Sequence, residues 1–185
     1  MAIDMRRAGA KIWDFLRVLV LFAVLAVFSA FLANYAAEDY SGVPKVLDGD
    51  SLIVAGQEIR LKGLDAPEYK QSCKSKSAGS TFACGRAALD HLKRLIGGRE
   101  IDCRGWETDK YQRVLATCSV DATLLNEQMV LDGWAISFGG YSRLEQEAKE
   151  ARRGLWAHEF VSPAEWRRQS QETHTSGLLD SFLFW

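Results

Sequence analysis

Residues 48–68 read D-G-D-S-L-I-V-A-G-Q-E-I-R-L-K-G-L-D-A-P-E, and residues 109–113 read D-K-Y-Q-R. Branched apolar residues flank Ala55-Gly56-Gln57, so Val43–Val54 and Glu58–Leu64 read as two strands folded back on each other. Taking Gly56-Gln57 as a two-residue turn places Asp50 opposite Gly63. Asp65 is then its diagonal neighbour on the same face, about 7–8 Å away. One metal ion can bridge such a gap, and two carboxylates with backbone carbonyls and waters suit Ca²⁺, which accepts oxygen ligands in loose geometry. Strict alternation sends Arg60 to the face opposite Asp65; a bulge at Gly63 would bring the two into phase.

Outward from this hairpin, Cys84 to Ile96 has an apolar face (Leu89, Leu92, Leu95, Ile96) and ends at Gly97-Gly98, as a helix does. Glu100–Arg104 and Val114–Val120 read as a second strand pair. A short helix follows over Ala122–Leu131. Ser142-Arg143-Leu144-Glu145 has the form of a capping box opening a third helix, which Gly154 closes. Strands first and helices interleaved late imply an α+β domain, a small barrel with helices packed on it. From about Gln169 the chain is polar, then ends in Leu178, Leu179, Phe182, Leu183, Phe184 and Trp185.

The 185 residues suffice for one domain with a real core. Val18 to Ala33 is apolar apart from Ser29 and, extended to Ala37, has the length that spans a bilayer. Arg6, Arg7, Lys11 and Arg17 precede it, and Glu38 and Asp39 follow. The positive-inside rule leaves the N-terminus in the cytoplasm and exports the rest. With no clean A-x-A site after the run, an uncleaved anchor is favoured over a signal peptide. The organisation is thus an anchor or signal over 1–40, a domain over 41–168 and a tail over 169–185. The net charge is −1, of which residues 1–37 carry +2 and the remainder −3. The exported part therefore lacks the basic excess that coats nucleic acid by counterion release. Any such function must reside in a local site.

All four cysteines, Cys73, Cys84, Cys103 and Cys118, lie in the exported part, without the paired clusters of a zinc site. Cys103 and Cys118 are equidistant from Lys110-Tyr111, so they face each other if those residues tip a hairpin. Pairing Cys73 with Cys84 and Cys103 with Cys118 is the expected connectivity among the three possible ones. His91, His158 and His174 are scattered and form no ligand pair.

V-L-D-G-D-S, I-R-L-K-G-L-D-A-P-E and T-D-K-Y-Q-R-V-L-A resemble, in order and spacing, the motifs of the thermonucleases, the staphylococcal nuclease-like family. L-N-E-Q-M-V-L-D-G-W-A and E-A-R-R-G-L-W add to the match, which runs from about Val43 to Arg167. The resemblance implies an OB-fold, a five-stranded Greek-key barrel with three helices, and Ca²⁺-dependent hydrolysis of DNA and RNA to 5′-hydroxyl and 3′-phosphate ends. It implies Asp50, Asp65 and the backbone carbonyl of Ala66 as calcium ligands, with Asp48 a second acid nearby. Glu68 resembles the general base, Arg60 and Arg113 the catalytic arginines, and Lys110 and Tyr111 contacts to a substrate phosphate. Phe138 or Tyr141 would take the place of a further tyrosine. The expected protein is a monomeric nuclease tethered to the membrane outside the cytoplasm. The alternative is a catalytically weak OB module that binds nucleic acid or protein. Lys74 and Lys76, between the first two cysteines, could guide a nucleic-acid backbone or be simply solvated.

Overall fold

The computed structural model describes residues 3–34, 37–76 and 79–182, with side chains over 13–30, 37–76 and 79–172. Contacts divide the chain into two compact units, Met1–Ala37 and Glu38–Trp185. The first is one helix, α1 (Ile3–Asn34), whose segment Trp13–Ala30 is long and apolar enough to cross a membrane. The apolar side chains described over residues 13–30 are exposed, as a core helix would not leave them.

The second unit opens with strands β1 (Glu38–Gly42), β2 (Lys45–Val46), β3 (Ser51–Val54), β4 (Gln57–Leu61) and β5 (Leu64–Asp65). Strands β6 (Cys73–Ser75) and β7 (Thr81–Phe82) lead into helix α2 (Cys84–Ile96). Then come β8 (Ile101–Thr108), β9 (Val114–Val120), β10 (Thr123–Leu124) and α3 (Leu125–Leu131). Strand β11 (Ile136–Ser137), α4 (Ser142–Glu150), a 3₁₀ turn (Gly154–Ala157), β12 (His158–Glu159) and α5 (Pro163–Phe182) complete it. The main sheet curls into a half-barrel in the order β1-β8-β9-β4-β3-β2, with β10 on β9. Its pairings are antiparallel except β4 with β9, where Ile59 lies beside Val114 and Arg60 beside Leu115. This is the mixed α+β architecture expected from the OB-fold resemblance.

The core fills the concave side. Leu52, Val54, Ile59 and Leu61 from the first hairpin meet Ile101, Ala116 and Val120 from the second, under Leu92, Leu125 and Met129 of the helices. Helix α2 occupies the residues its apolar spacing marks, and the N–H of Gly97 closes it on the carbonyl of Lys93 at 2.9 Å. Helix α3 starts later than Ala122, because Thr123 and Leu124 first pair with β9.

Two local expectations are corrected. The hairpin turn is Ala55-Gly56 (φ 49° and 83°), not Gly56-Gln57, so Val54 faces Gln57, Ser51 faces Arg60, and Asp50 lies at Leu61 rather than Gly63. Both registers put the same apolar residues on one face: Leu52 meets Ile59 instead of Leu61. Hydrophobic pattern therefore cannot choose between them, and turn chemistry with two positive φ angles does. The capping box does not form. Tyr141 caps α4 without a side-chain bond, and Glu145 instead accepts the Ser137 N–H at 3.0 Å. An additional helix, α5, runs across residue 168, where the domain was expected to end. The apolar side chains at 178–185 lie outside the described residues.

Candidate active site

The acids and the first arginine come from one short stretch. Strand β4 ends at Leu61, and Lys62-Gly63 turns the chain with Gly63 at φ 83°. That turn, rather than a bulge, brings Asp65 back toward Arg60. A side chain at position 63 would also meet the Tyr141 ring, 2.9 Å from a Cβ there. Strand β5 then leaves the main sheet to pair with β11, Asp65 lying opposite Ile136.

Arg60 sits between the two carboxylates. Its Nη1 donates to Asp50 Oδ1 at 2.8 Å, and its Nη2 donates to Asp65 Oδ1 at 2.6 Å while lying 2.8 Å from Asp50 Oδ2. Asp50 also accepts the Ala66 N–H at 3.0 Å and the Ser51 hydroxyl at 3.0 Å. Asp48 accepts the Asp50 N–H at 3.0 Å. Asp50 and Asp65 are only 3% and 4% exposed. Burial pushes the Asp50 carboxyl up to about 7, aided by the charges of Asp48 and Asp65 and opposed by Arg60 and the Ala66 N–H.

Glu68 follows in a loop held from two sides. Gln71, fully buried, accepts the Glu68 N–H at 3.2 Å, and its own N–H donates to the Glu68 carbonyl at 2.7 Å. Gly85 of α2 packs on that carbonyl so closely that a Cβ would come within 1.8 Å of it. The disulfide Cys73–Cys84 ties the end of the loop to the same helix. The second expected disulfide, Cys103–Cys118, joins facing residues of β8 and β9.

Arg113 immediately precedes β9, whose Leu115 lies beside Arg60 of β4. Asp109 organises it: the carboxylate accepts from Arg113 Nε at 2.8 Å and Nη2 at 2.7 Å, and from the N–H groups of Tyr111 and Arg113. Burial alone would raise Asp109, but these bonds outweigh it and hold its carboxyl below the ordinary range. Arg113 Nη1 reaches Ser51 Oγ at 3.3 Å, on the Asp50 side. Lys110 and Tyr111 form the exposed tip.

Asp48, Arg60, Glu68, Lys110, Tyr111 and Arg113 thus line one open cleft, together with Glu58, Asp109 and Arg167. Phe138 and Tyr141 line an adjoining groove with Asp65 and Trp106, on the far side of Arg60. Phe138 is 76% exposed there, whereas the Tyr141 ring packs over Gly63. Lys74 pairs with Glu159 at 3.8 Å and does not line the cleft.

Two contributors escape the sequence reading. Asp109 belongs to the quoted D-K-Y-Q-R, and its habit of closing a turn on backbone N–H groups was the available signal. Arg167 of α5 had none: far along the chain in a polar stretch, it donates to both Asp65 oxygens, at 3.0 and 2.9 Å, and to Glu68 Oε1 at 2.7 Å.

Among the described residues no group of three or more His, Cys, Asp or Glu side chains is gathered to hold a metal. The donor set is two buried carboxylates, Asp50 and Asp65. Its chemistry is that of a hard divalent cation.

Residues 58–158 match a family model described as staphylococcal nuclease homologue. The chain is 32% identical over 184 residues to Protein ParB of Escherichia coli, covering 88% of this chain and 96% of that protein. It is 31% identical over 145 residues to an uncharacterized endonuclease of E. coli, covering 72% and 88%. It is also 29% identical over 136 residues to the probable staphylococcal-like nuclease CAN3 of rice (Oryza sativa subsp. japonica). That match covers 70% of this chain but 33% of the rice protein.

Proposed function

The chain belongs to the staphylococcal nuclease homologues, a family of phosphodiester hydrolases, and on that premise we propose a Ca²⁺-dependent nuclease that cuts DNA, RNA or both outside the cytoplasm. One observation carries the proposal: Arg60, Glu68 and Arg113 line a single cleft, and Arg60 is bonded to the buried Asp50 and Asp65.

In-line hydrolysis needs a water deprotonated on one side of phosphorus and charge stabilised on the equatorial oxygens. Glu68, its side chain about a third exposed and bonded through Oε1 to Arg167, is the carboxylate that would take the proton from water, directly or through a second one. Arg60 and Arg113 bring two permanent positive charges with N–H donors to the cleft that the phosphoryl oxygens would meet. Asp109 holds Arg113 by Nε and Nη2, and Nη1 reaches Ser51 Oγ. Preorganised donors of this kind supply a few kcal/mol each in the transition state. Lys110 and Tyr111, on the rigid hairpin tip, are placed to hold a neighbouring phosphate. Asp50, Asp65 and the Ala66 carbonyl would hold the cation, which when bound lowers the charge of the phosphodiester and orients it.

The exported location is supported by the apolar run of α1 with the basic residues before that run, and by two disulfides, which persist in oxidising compartments. A module that binds without cutting has no observation in its favour, since each of the three residues needed for cleavage is present. Residues 38–185, a compact unit, should digest single-stranded DNA or RNA with Ca²⁺ and stop with chelator. Glu68→Gln should slow cleavage about 100-fold or more. Cleavage that ignores chelator, or a Glu68→Gln enzyme as fast as the parent, would refute the reading.

A further inference from the structure

The family match ends at residue 158, yet the acids at its centre are gripped by a side chain from beyond it. Arg167 lies in α5, and the foot of that helix is fixed. Ser162 accepts the Glu165 N–H on its hydroxyl at 3.2 Å and the Trp166 N–H on its carbonyl at 2.9 Å. The Val161 carbonyl accepts Nε2 of Gln71 at 2.9 Å, and Gln71 is the same buried residue that holds the Glu68 backbone. One buried amide therefore links the Glu68 loop to the start of α5, and Arg167 follows about one turn into the helix.

From there the guanidinium takes Asp65 in a two-pronged grip and adds a third bond to Glu68. Asp65 Oδ1 already receives Arg60, so both oxygens of this carboxylate are engaged by arginine. Ca²⁺ ligands lie about 2.3–2.6 Å from the ion. A cation at Asp65 would compete for the lone pairs that Arg167 occupies and would sit within a few ångströms of its positive charge.

We propose that Arg167 is a latch on the site, competing with the divalent cation for Asp65 and holding Glu68 away from water until the cation displaces it. This rests on the reading that Asp50 and Asp65 take a cation. Displacement frees both the metal-binding acid and the general base together, so cation uptake and arming of Glu68 become one event. It also makes residues 159–168, which follow the span matched by the family model, the part of the chain that sets the cation concentration at which the nuclease turns on.

The test is Ca²⁺ titration of the full chain in detergent micelles by calorimetry, without nucleic acid. Arg167→Gln should bind Ca²⁺ about tenfold or more tightly than the parent, the scale expected from removing a nearby like charge. Arg167→Lys, which keeps the charge and loses the fork, should fall between them. Arg168→Gln, which loses only the pair with Glu165 on the same helix, should match the parent. Without Ca²⁺, Arg167→Gln should melt lower than the parent, and the gap should narrow at saturating Ca²⁺. Equal or weaker Ca²⁺ binding by Arg167→Gln overturns the latch while leaving the cation site intact, as would be seen if Arg167 serves only to hold substrate phosphate. Binding by Arg167→Gln but not by the parent supports it. If neither binds, the cation reading and the latch fall together.

Discussion

Burial and the charge of Asp48 push the Asp50 carboxyl up to about 7, against an ordinary value of 3.8. The folded chain then holds a proton that the unfolded chain has already released between those values. The stability this contributes is complete below about pH 4 and is lost as pH rises through about 7. With chelator present, urea midpoints should fall from pH 5 to pH 8, Asp50 contributing at most about 1.4 kcal/mol per pH unit. Asp50→Asn should remove that part of the slope; an unchanged slope in the variant refutes the assignment. Single residues were legible where motif order carried them: Arg60, Glu68 and Arg113 line one cleft, and Asp50 and Asp65 are bonded to Arg60. Gln71 and Arg167 were not, because their roles depend on contacts spanning 90 and about 100 residues that no local spacing encodes.

At the scale of elements, helix α2 was readable to the residue because an apolar stripe, a terminating glycine and basic residues in its last turn agree. The first hairpin was readable as a hairpin but not in register, since two alternative pairings share one buried face. Asn126 shows what pattern reading overlooks within a helix. Fully buried at the second position of α3, it accepts the Cys118 N–H at 2.9 Å and donates to the Lys62 and Ala116 carbonyls at 2.9 and 3.1 Å. It therefore joins α3, β9 and the turn that leads from Arg60 to Asp65. Asn126→Leu should cost about 3 kcal/mol in denaturant unfolding by orphaning buried backbone groups. It should also lower cleavage by loosening Asp65. A variant as stable as the parent would show that these bonds contribute little.

For the whole molecule, α1 and the catalytic unit give separate readouts. The full chain should remain with membranes after an alkaline carbonate wash, while residues 38–185 should stay in the supernatant. Recovery of an intact full chain in the soluble fraction would exclude an anchor, and a chain shortened near residue 38 would identify a cleaved leader. The apolar helix was legible because a bilayer-length uninterrupted apolar run stands out in sequence; the fold of α5 was not, because its sequence is polar where it begins.

The Cys103–Cys118 bond carries one more consequence. It lies at the base of an arm whose exposed end is Lys110-Tyr111. Trypsin cutting after Lys110 would leave two polypeptides joined by sulfur, migrating as one band until a reductant is added. Asp50, Arg60, Asp65 and Glu68 would belong to one of them, and Arg113 and Arg167 to the other. The nuclease would then be a two-chain protein whose acids and second arginine are inherited by different fragments, kept in register by a single covalent link.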